Sequence, residues 1–173
     1  MRPHENNYAF IDGQNTHKGV ESLGWHMDWA RFRVYLREKY HVQTAYMFIG
    51  FLAQHNTLYE RLQKAGFILK FKPVLPDGEG KPKGNVDADL VLQAMLDYGA
   101  YDHAILVSSD GDFYSLVAHW YATGKLKVVL SPYIRTCSSL LKKTAKEKIV
   151  YLDTLRDKIG LETKEKHRRR TEP

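Results

Sequence analysis

Residues 104–122 read AILVSSDGDFYSLVAHWYA. The run 104–108 is apolar and closes on a serine, the pattern of a strand covered on both faces. Asp110 follows two residues later, then Gly111 and Asp112, and residues 113–122 form a strongly apolar helical stretch. A strand, a carboxylate-bearing turn and a helix make one unit of a parallel sheet. The chain opens in the same way. Residues 8–12, YAFID, end in a carboxylate before Gly13, which reads as the central strand running out into a polar loop.

The pattern continues outward from these two units. Asp28 caps a helix through residue 40, with Trp29, Phe32, Val34, Tyr35 and Leu36 on a mainly one-sided apolar face. Residues 42–51 are a strand rich in β-branched and aromatic side chains, and 57–65 a helix stopped by Gly66. Residues 67–72 alternate as a strand with one less-covered face, before a Pro/Gly-rich loop over 73–84. A helix over 86–98, a strand over 126–131, a helix over 138–148, a short strand or turn over 149–152 and a final helix ending near Gly160 complete the series. Such alternation predicts an α/β fold with a mainly parallel, Rossmann-like central sheet covered on both faces. Ligands of such sheets bind at the carboxyl ends of the strands.

At 173 residues, 43% hydrophobic and 12% aromatic, the chain has bulk for one core. One domain is expected over residues 1–160, followed by a basic, disordered tail over 161–173. The single cysteine, Cys137, excludes an internal disulfide, and no Cys/His cluster has zinc-ligand spacing. The opening residues lack the apolar core of a signal peptide, and no apolar run is long enough to span a membrane, so a cytoplasmic protein is expected. The net charge of +6 favours an anionic partner, with nucleic acid foremost. The tail contributes only +2 of it, so the folded part is basic as well.

Asp12 and Asp110 stand at strand ends, where parallel α/β folds build sites. Asp87 heads a helix face that continues through Val91, Ala94 and Tyr98, so it is either a cap turned to the backbone or a member of a charge cluster. Asp89 falls on the opposite side with Gln93 and Asp97, facing solvent. Asp112 has a plain explanation as a cap on the helix that follows. Carboxylates converging on one edge repel each other unless a cation sits among them. Mg²⁺ or Mn²⁺ meets that need, and such ions activate water and stabilise leaving oxygens in phosphodiester hydrolysis. Asn15 reads equally as a turn residue or as a group that positions water or phosphate. Lys83 is a phosphate contact or an ordinary loop lysine. Ser108 and Ser109 offer hydroxyls to substrate or to strand-end hydrogen bonds.

Three segments, FIDGQN (residues 10–15), KGNVDADLVLQAM (83–95) and ILVSSDGDFYSLV (105–117), together resemble the NYN domain family, in its LabA-like branch of the PIN-like nucleases. The resemblance spans about residues 8–152, and SSDGDF is its most specific part. It implies a three-layer α/β/α PIN-like fold and RNA hydrolysis with Mg²⁺ or Mn²⁺ held by Asp12, Asp87, Asp110 and Asp112, giving 5′-phosphate and 3′-hydroxyl ends. Asn15 falls on the family's asparagine after the first strand. Asn85 is an extra residue between Gly84 and Val86, and the placing of Lys83 shifts with it. Where relatives carry an acidic segment near the end, this chain has Lys146-Glu147-Lys148-Ile149, so the last helix is not counted on for a ligand.

Two other classes compete with a ribonuclease. One is an RNA-binding module with a degenerate acidic site, using the basic run His167-Arg168-Arg169-Arg170. The other is a hydrolase of small phosphate esters. No GxxxxGK[ST] or HExxH pattern occurs.

Overall fold

A computed structural model describes residues 5–73, 75, 76, 82, 83 and 86–161. Six strands form the central sheet: β1 (Asn7–Asp12), β2 (Val42–Phe51), β3 (Ile68–Pro73), β6 (Ala104–Val107), β7 (Leu126–Ser131) and β8 (Ile149–Tyr151). Between β3 and β6 lie the two-residue strands β4 (Leu75–Pro76) and β5 (Pro82–Lys83), paired antiparallel within the loop expected over 73–84. The helices are α1 (Gly13–Glu21), α2 (Trp29–Tyr40), α3 (Asn56–Lys64), α4 (Asp87–Leu96), α5 (Tyr114–Ala122), α6 (Ser139–Ala145) and α7 (Arg156–Ile159).

The sheet order is β3-β2-β1-β6-β7-β8, and every pairing in it is parallel. This is the expected fold class, with helices on both faces of the sheet. Strand alternation divides the core. Ala9 and Ile11 of β1, with Ile105 and Val107 of β6, face one layer, where Val20 of α1 and Phe32, Leu36 and Tyr40 of α2 pack. Phe10 and Leu106 face the other, against Leu90 and Ala94 of α4, Val117 and Trp120 of α5 and Leu141 of α6. Tyr101 bonds these last helices together: its hydroxyl donates to the Ala94 carbonyl (2.9 Å) and accepts from Trp120 Nε1 (2.9 Å).

From β1 the chain builds outward to β2 and β3, then crosses back to lay β6, β7 and β8 on the other side. Order therefore reverses between β1 and β6. In open α/β sheets such a reversal, at the carboxyl ends of the strands, is where ligands bind.

The polar segment after Asp12, expected as a loop, is instead helix α1. Its sequence, GQNTHKGVE, has little apolar content, and its buried positions are Gly13, Thr16 and Val20, so the helical period is carried by residues that a hydrophobic pattern does not register. The helix expected over 138–148 stops at Ala145, where Lys146 takes φ +52° and turns the chain into β8. At the other end of the domain, Asp28 N donates to the Ile159 carbonyl (2.8 Å) and Leu161 N to the His26 carbonyl (2.9 Å). Residues 162–173, read above as part of a basic tail, lie outside the described residues. Among the described residues, no helix is long and apolar enough to cross a membrane.

Candidate functional site

Asp12 is the last residue of β1, and alternation puts it on the Phe10 side, toward α4 and α5. It is 6% exposed. Its Oδ1 accepts from the Asn15 N–H (3.1 Å), so it also caps α1. Burial dominates its ionisation and raises the carboxyl from 3.8 to about 6. The Asn15 N–H opposes the rise, and the charges of Asp87 and Asp110 add to it. A carboxylate at a helix N-terminus is thus still forced toward its neutral form, by burial first and by its acidic neighbours second.

Those neighbours come from two other elements. Asp87 is the first residue of α4, half-buried. Asp110 follows β6 and caps a 3₁₀ turn, Gly111–Phe113, its Oδ1 accepting from the Asp112 N–H (2.9 Å). Asp112 is exposed within that turn. One carboxylate oxygen from each of Asp87, Asp110 and Asp112 lies within 4.8 Å of the others. Among the described residues, no lysine, arginine or histidine forms an ion pair with Asp12, Asp110 or Asp112. The reading of Asp112 as a cap on the following helix is corrected here. The chain enters its helical turn earlier than the apolar pattern suggests, so the cap falls on Asp110, and Asp112 lies among the acidic groups.

A frame of hydrogen bonds fixes these carboxylates. Ser108 is fully buried and its Oγ accepts from the Asp110 N–H (3.1 Å). Asn15 Oδ1 accepts from both the N–H and the hydroxyl of Ser109, each at 2.9 Å. Thr16, buried in α1, donates its hydroxyl to the Val107 carbonyl at 3.3 Å. Ser138 N–H donates to the Ser109 carbonyl (3.0 Å). The turn after β6 is therefore tied on one side to α1 and on the other to the start of α6. Asn15 Oδ1 and the Ser108 hydroxyl, considered above as contacts to substrate, spend these bonds on the frame. Thr16 and Ser138 had no signal in the sequence: one lies in the unrecognised helix and the other on a distant segment.

Lys83 belongs to β5 and pairs with Leu75, while its side chain is outside the described residues. Asp89 is exposed and pairs with Lys72 of β3 (3.1 Å). Glu147 accepts from the Tyr121 hydroxyl (3.1 and 3.2 Å) just ahead of β8, at the opposite end of the sheet from the aspartates.

The donor set suits a hard divalent cation. All the groups are carboxylate oxygens, the ligand type that Mg²⁺ and Mn²⁺ take, and Asp87, Asp110 and Asp112 would hold such an ion. The raised carboxyl of Asp12 likewise marks a place where added positive charge would stabilise the ionised form.

The chain is similar in structure to a protein of unknown function from Vibrio parahaemolyticus, with a TM-score of 0.77 and 25% identity, covering 93% of this chain and 99% of that one. A more distant likeness is to the flap endonuclease of bacteriophage T5 in complex with DNA and metal ions. That match has a TM-score of 0.46 and 16% identity, covering 77% of this chain and 57% of that one. No curated protein is significantly similar to the chain. The family model of the NYN domain matches residues 8–153, which include all but the first residue of the central sheet and all four aspartates, and the chain belongs to that family.

Proposed function

We propose that the protein is a metal-dependent ribonuclease that hydrolyses RNA phosphodiester bonds at the aspartate cluster. The observation that carries this reading is the approach of Asp87, Asp110 and Asp112 to within 4.8 Å at the point where strand order reverses. Asp87, Asp110 and Asp112 would hold Mg²⁺ or Mn²⁺, with Asp12 as a further ligand on the inner side. Such a cation, when bound, supplies Lewis acidity, easing deprotonation of water and offsetting charge on the phosphate and the departing oxygen.

The chain's own residues do the positioning. Ser108 and Asn15 hold the turn that carries Asp110 and Asp112, so the carboxylates are set before substrate arrives. Ser109 lies at the rim of the same turn, and Lys83, shortly before Asp87 in the chain, is assigned to a substrate phosphate. In the reaction an oxygen of water bonds to phosphorus and the bond to O3′ breaks. O3′ leaves with a proton as a 3′-hydroxyl, and the phosphate stays on the 5′ end of the downstream fragment. The net charge of +6 favours a polyanion, and family membership alone supports RNA as that polyanion.

The chemistry of the product ends tests this. Mass spectrometry of a cleaved oligoribonucleotide should find 5′-phosphate and 3′-hydroxyl ends. A strand with 2′-O-methyl groups at the cut site should still be open to hydrolysis, because the 2′-hydroxyl takes no part. Ends bearing a 2′,3′-cyclic phosphate would mean that the 2′-hydroxyl attacks, and would overturn the proposal.

A further inference from the structure

Two phenylalanines stand in the open at the same sheet edge as the aspartates. Asp12 is opposite Phe48 in the β1/β2 register, and β2 runs three residues further, to Phe51. At about 3.3 Å per residue and about 4.8 Å between strands, the Cα of Phe51 lies roughly 11 Å from that of Asp12, outward along the rim, and its ring projects to the other face of the sheet, the face of Met47 and Ile49. Phe71 of β3 pairs with Ile49 and shares its face with Phe51. Each ring is 44% exposed, and their centroids are 5.4 Å apart, edge to face. Beneath them lies Tyr59 of α3, 6% exposed, stacked on Phe51 (5.9 Å) and edge-on to Phe71 (4.8 Å). The Tyr59 hydroxyl accepts from Leu52 N–H (2.9 Å) and donates to the Gly50 carbonyl (3.3 Å), so the ring that supports the other two is held from the strand end.

The surroundings are cationic. β3 carries Lys70 and Lys72 and no acidic residue. Lys70 and Lys72 flank Phe71 in sequence, and Lys72 reaches the first turn of α4 through its pairing with Asp89. That pair is exposed on both sides, and a phosphate can replace the carboxylate at little cost. Edge-strand lysines alone would serve to keep sheets from pairing. Exposed phenyl rings on the other face of the same strand ends work against that purpose, and so ask for a partner that wraps the rim, flat and apolar where it meets the rings and anionic where it meets the lysines.

The geometry points to a base-stacking subsite for single-stranded nucleic acid on Phe51 and Phe71, with Lys72 guiding the phosphates between this platform and the aspartates. It rests on the nuclease reading for its direction, since it names the form of substrate that the same sheet edge receives. A duplex keeps its bases stacked on each other and has none to offer the rings, whereas single strands stack on aromatic side chains in proteins that bind them without sequence preference.

The test compares wild type with Phe51→Leu/Phe71→Leu, which keeps apolar bulk and removes the rings, and with Phe51→Tyr/Phe71→Tyr, which keeps them. Binding of a fluorescent single-stranded RNA in EDTA should weaken about tenfold or more in the leucine variant and stay close to wild type in the tyrosine variant. An abasic strand of equal length, with phosphates but no bases, should bind both proteins alike. Ultraviolet cross-linking of a bromouridine strand to the wild-type protein should give adducts on the peptides carrying Phe51 or Phe71, a readout independent of variant folding. Unchanged binding in the leucine variant, or adducts only elsewhere, overturns the subsite. So does loss of self-association as the variant's sole defect, which would assign the rings to a second copy of the chain. Wild type that cleaves RNA while the leucine variant binds normally leaves the nuclease reading standing without the subsite. Ring-dependent binding without cleavage leaves the subsite standing and removes the nuclease.

Discussion

Asp12 combines a strand-end position, near-complete burial and a carboxyl raised to about 6. A folded-state value above the unfolded one favours the protonated form of the fold. This contribution is complete below the unfolded value of 3.8 and is lost as pH rises through about 6. By pH 7.5 the metal-free fold has given up something on the order of 3 kcal/mol at this residue. Asp12→Asn keeps a capping side chain and has no proton to lose. Metal-free Asp12→Asn protein should therefore melt several degrees above wild type at pH 7.5, with the gap roughly halved at pH 5 and closing only near about pH 4. Equal melting temperatures across that range would contradict the account of Asp12. Glu5, held at about 2, first by its hydrogen bond to Lys127, stays ionised throughout this window. The strand-end aspartates could be recognised in the sequence because an apolar run that stops on a carboxylate announces itself. The placing of Asp112 could not, since a cap and a member of the acidic group occupy the same kind of position and the start of the 3₁₀ turn decides between them. One consequence separates Asp110 from Asp112 by stability: Asp110→Ala loses a cap, about 1 kcal/mol, whereas Asp112→Ala should stay within about 0.5 kcal/mol of wild type. Chemical denaturation of the two variants measures this directly.

At the scale of elements, the strands β1, β6 and β7 were legible because burial on both faces leaves them almost wholly apolar, and β2 because it is rich in β-branched and aromatic side chains. Helix α1 was not, and its glycines show why. A Cβ on Gly13 would stand 2.5 Å from Ile49 Cγ2, and one on Gly19 would stand 2.5 Å from Pro132 Cβ. Missing side chains let α1 lie close against the β2 and β7 ends, so its packing signal is an absence of bulk. In an exposed helix, Gly→Ala gains about 1 kcal/mol. At Gly19 the sign reverses, because the proline ring cannot turn aside: Gly19→Ala should destabilise by about 1–3 kcal/mol. Urea unfolding of this variant checks it, and a stabilised protein would mean that α1 packs less closely than described. Because α1 carries Asn15 and Thr16, its displacement should also loosen the turn at Ser109.

Across the whole molecule, a reversal of strand order and three acidic segments converge at one sheet edge of a basic chain. The parallel fold and its functional edge were readable from alternation alone, but the convergence of Asp87 with the aspartates after β6 depends on how α4 packs across the sheet, which no local pattern encodes. A cation that binds only the folded form should stabilise it. Adding Mn²⁺ or Mg²⁺ at pH 7.5 should raise the wild-type melting temperature and leave Asp110→Asn nearly unmoved, in a thermal-shift titration. The central claim is cleavage itself, and its most direct test is a time course on end-labelled single-stranded RNA with Mg²⁺, Mn²⁺ or EDTA, for wild type beside Asp12→Asn and Asp110→Asn. Strand scission by wild type with metal, none in EDTA, and a loss of at least a hundredfold in each variant is the predicted result. Cutting that persists in EDTA, or that the variants perform as fast as wild type, would contradict it.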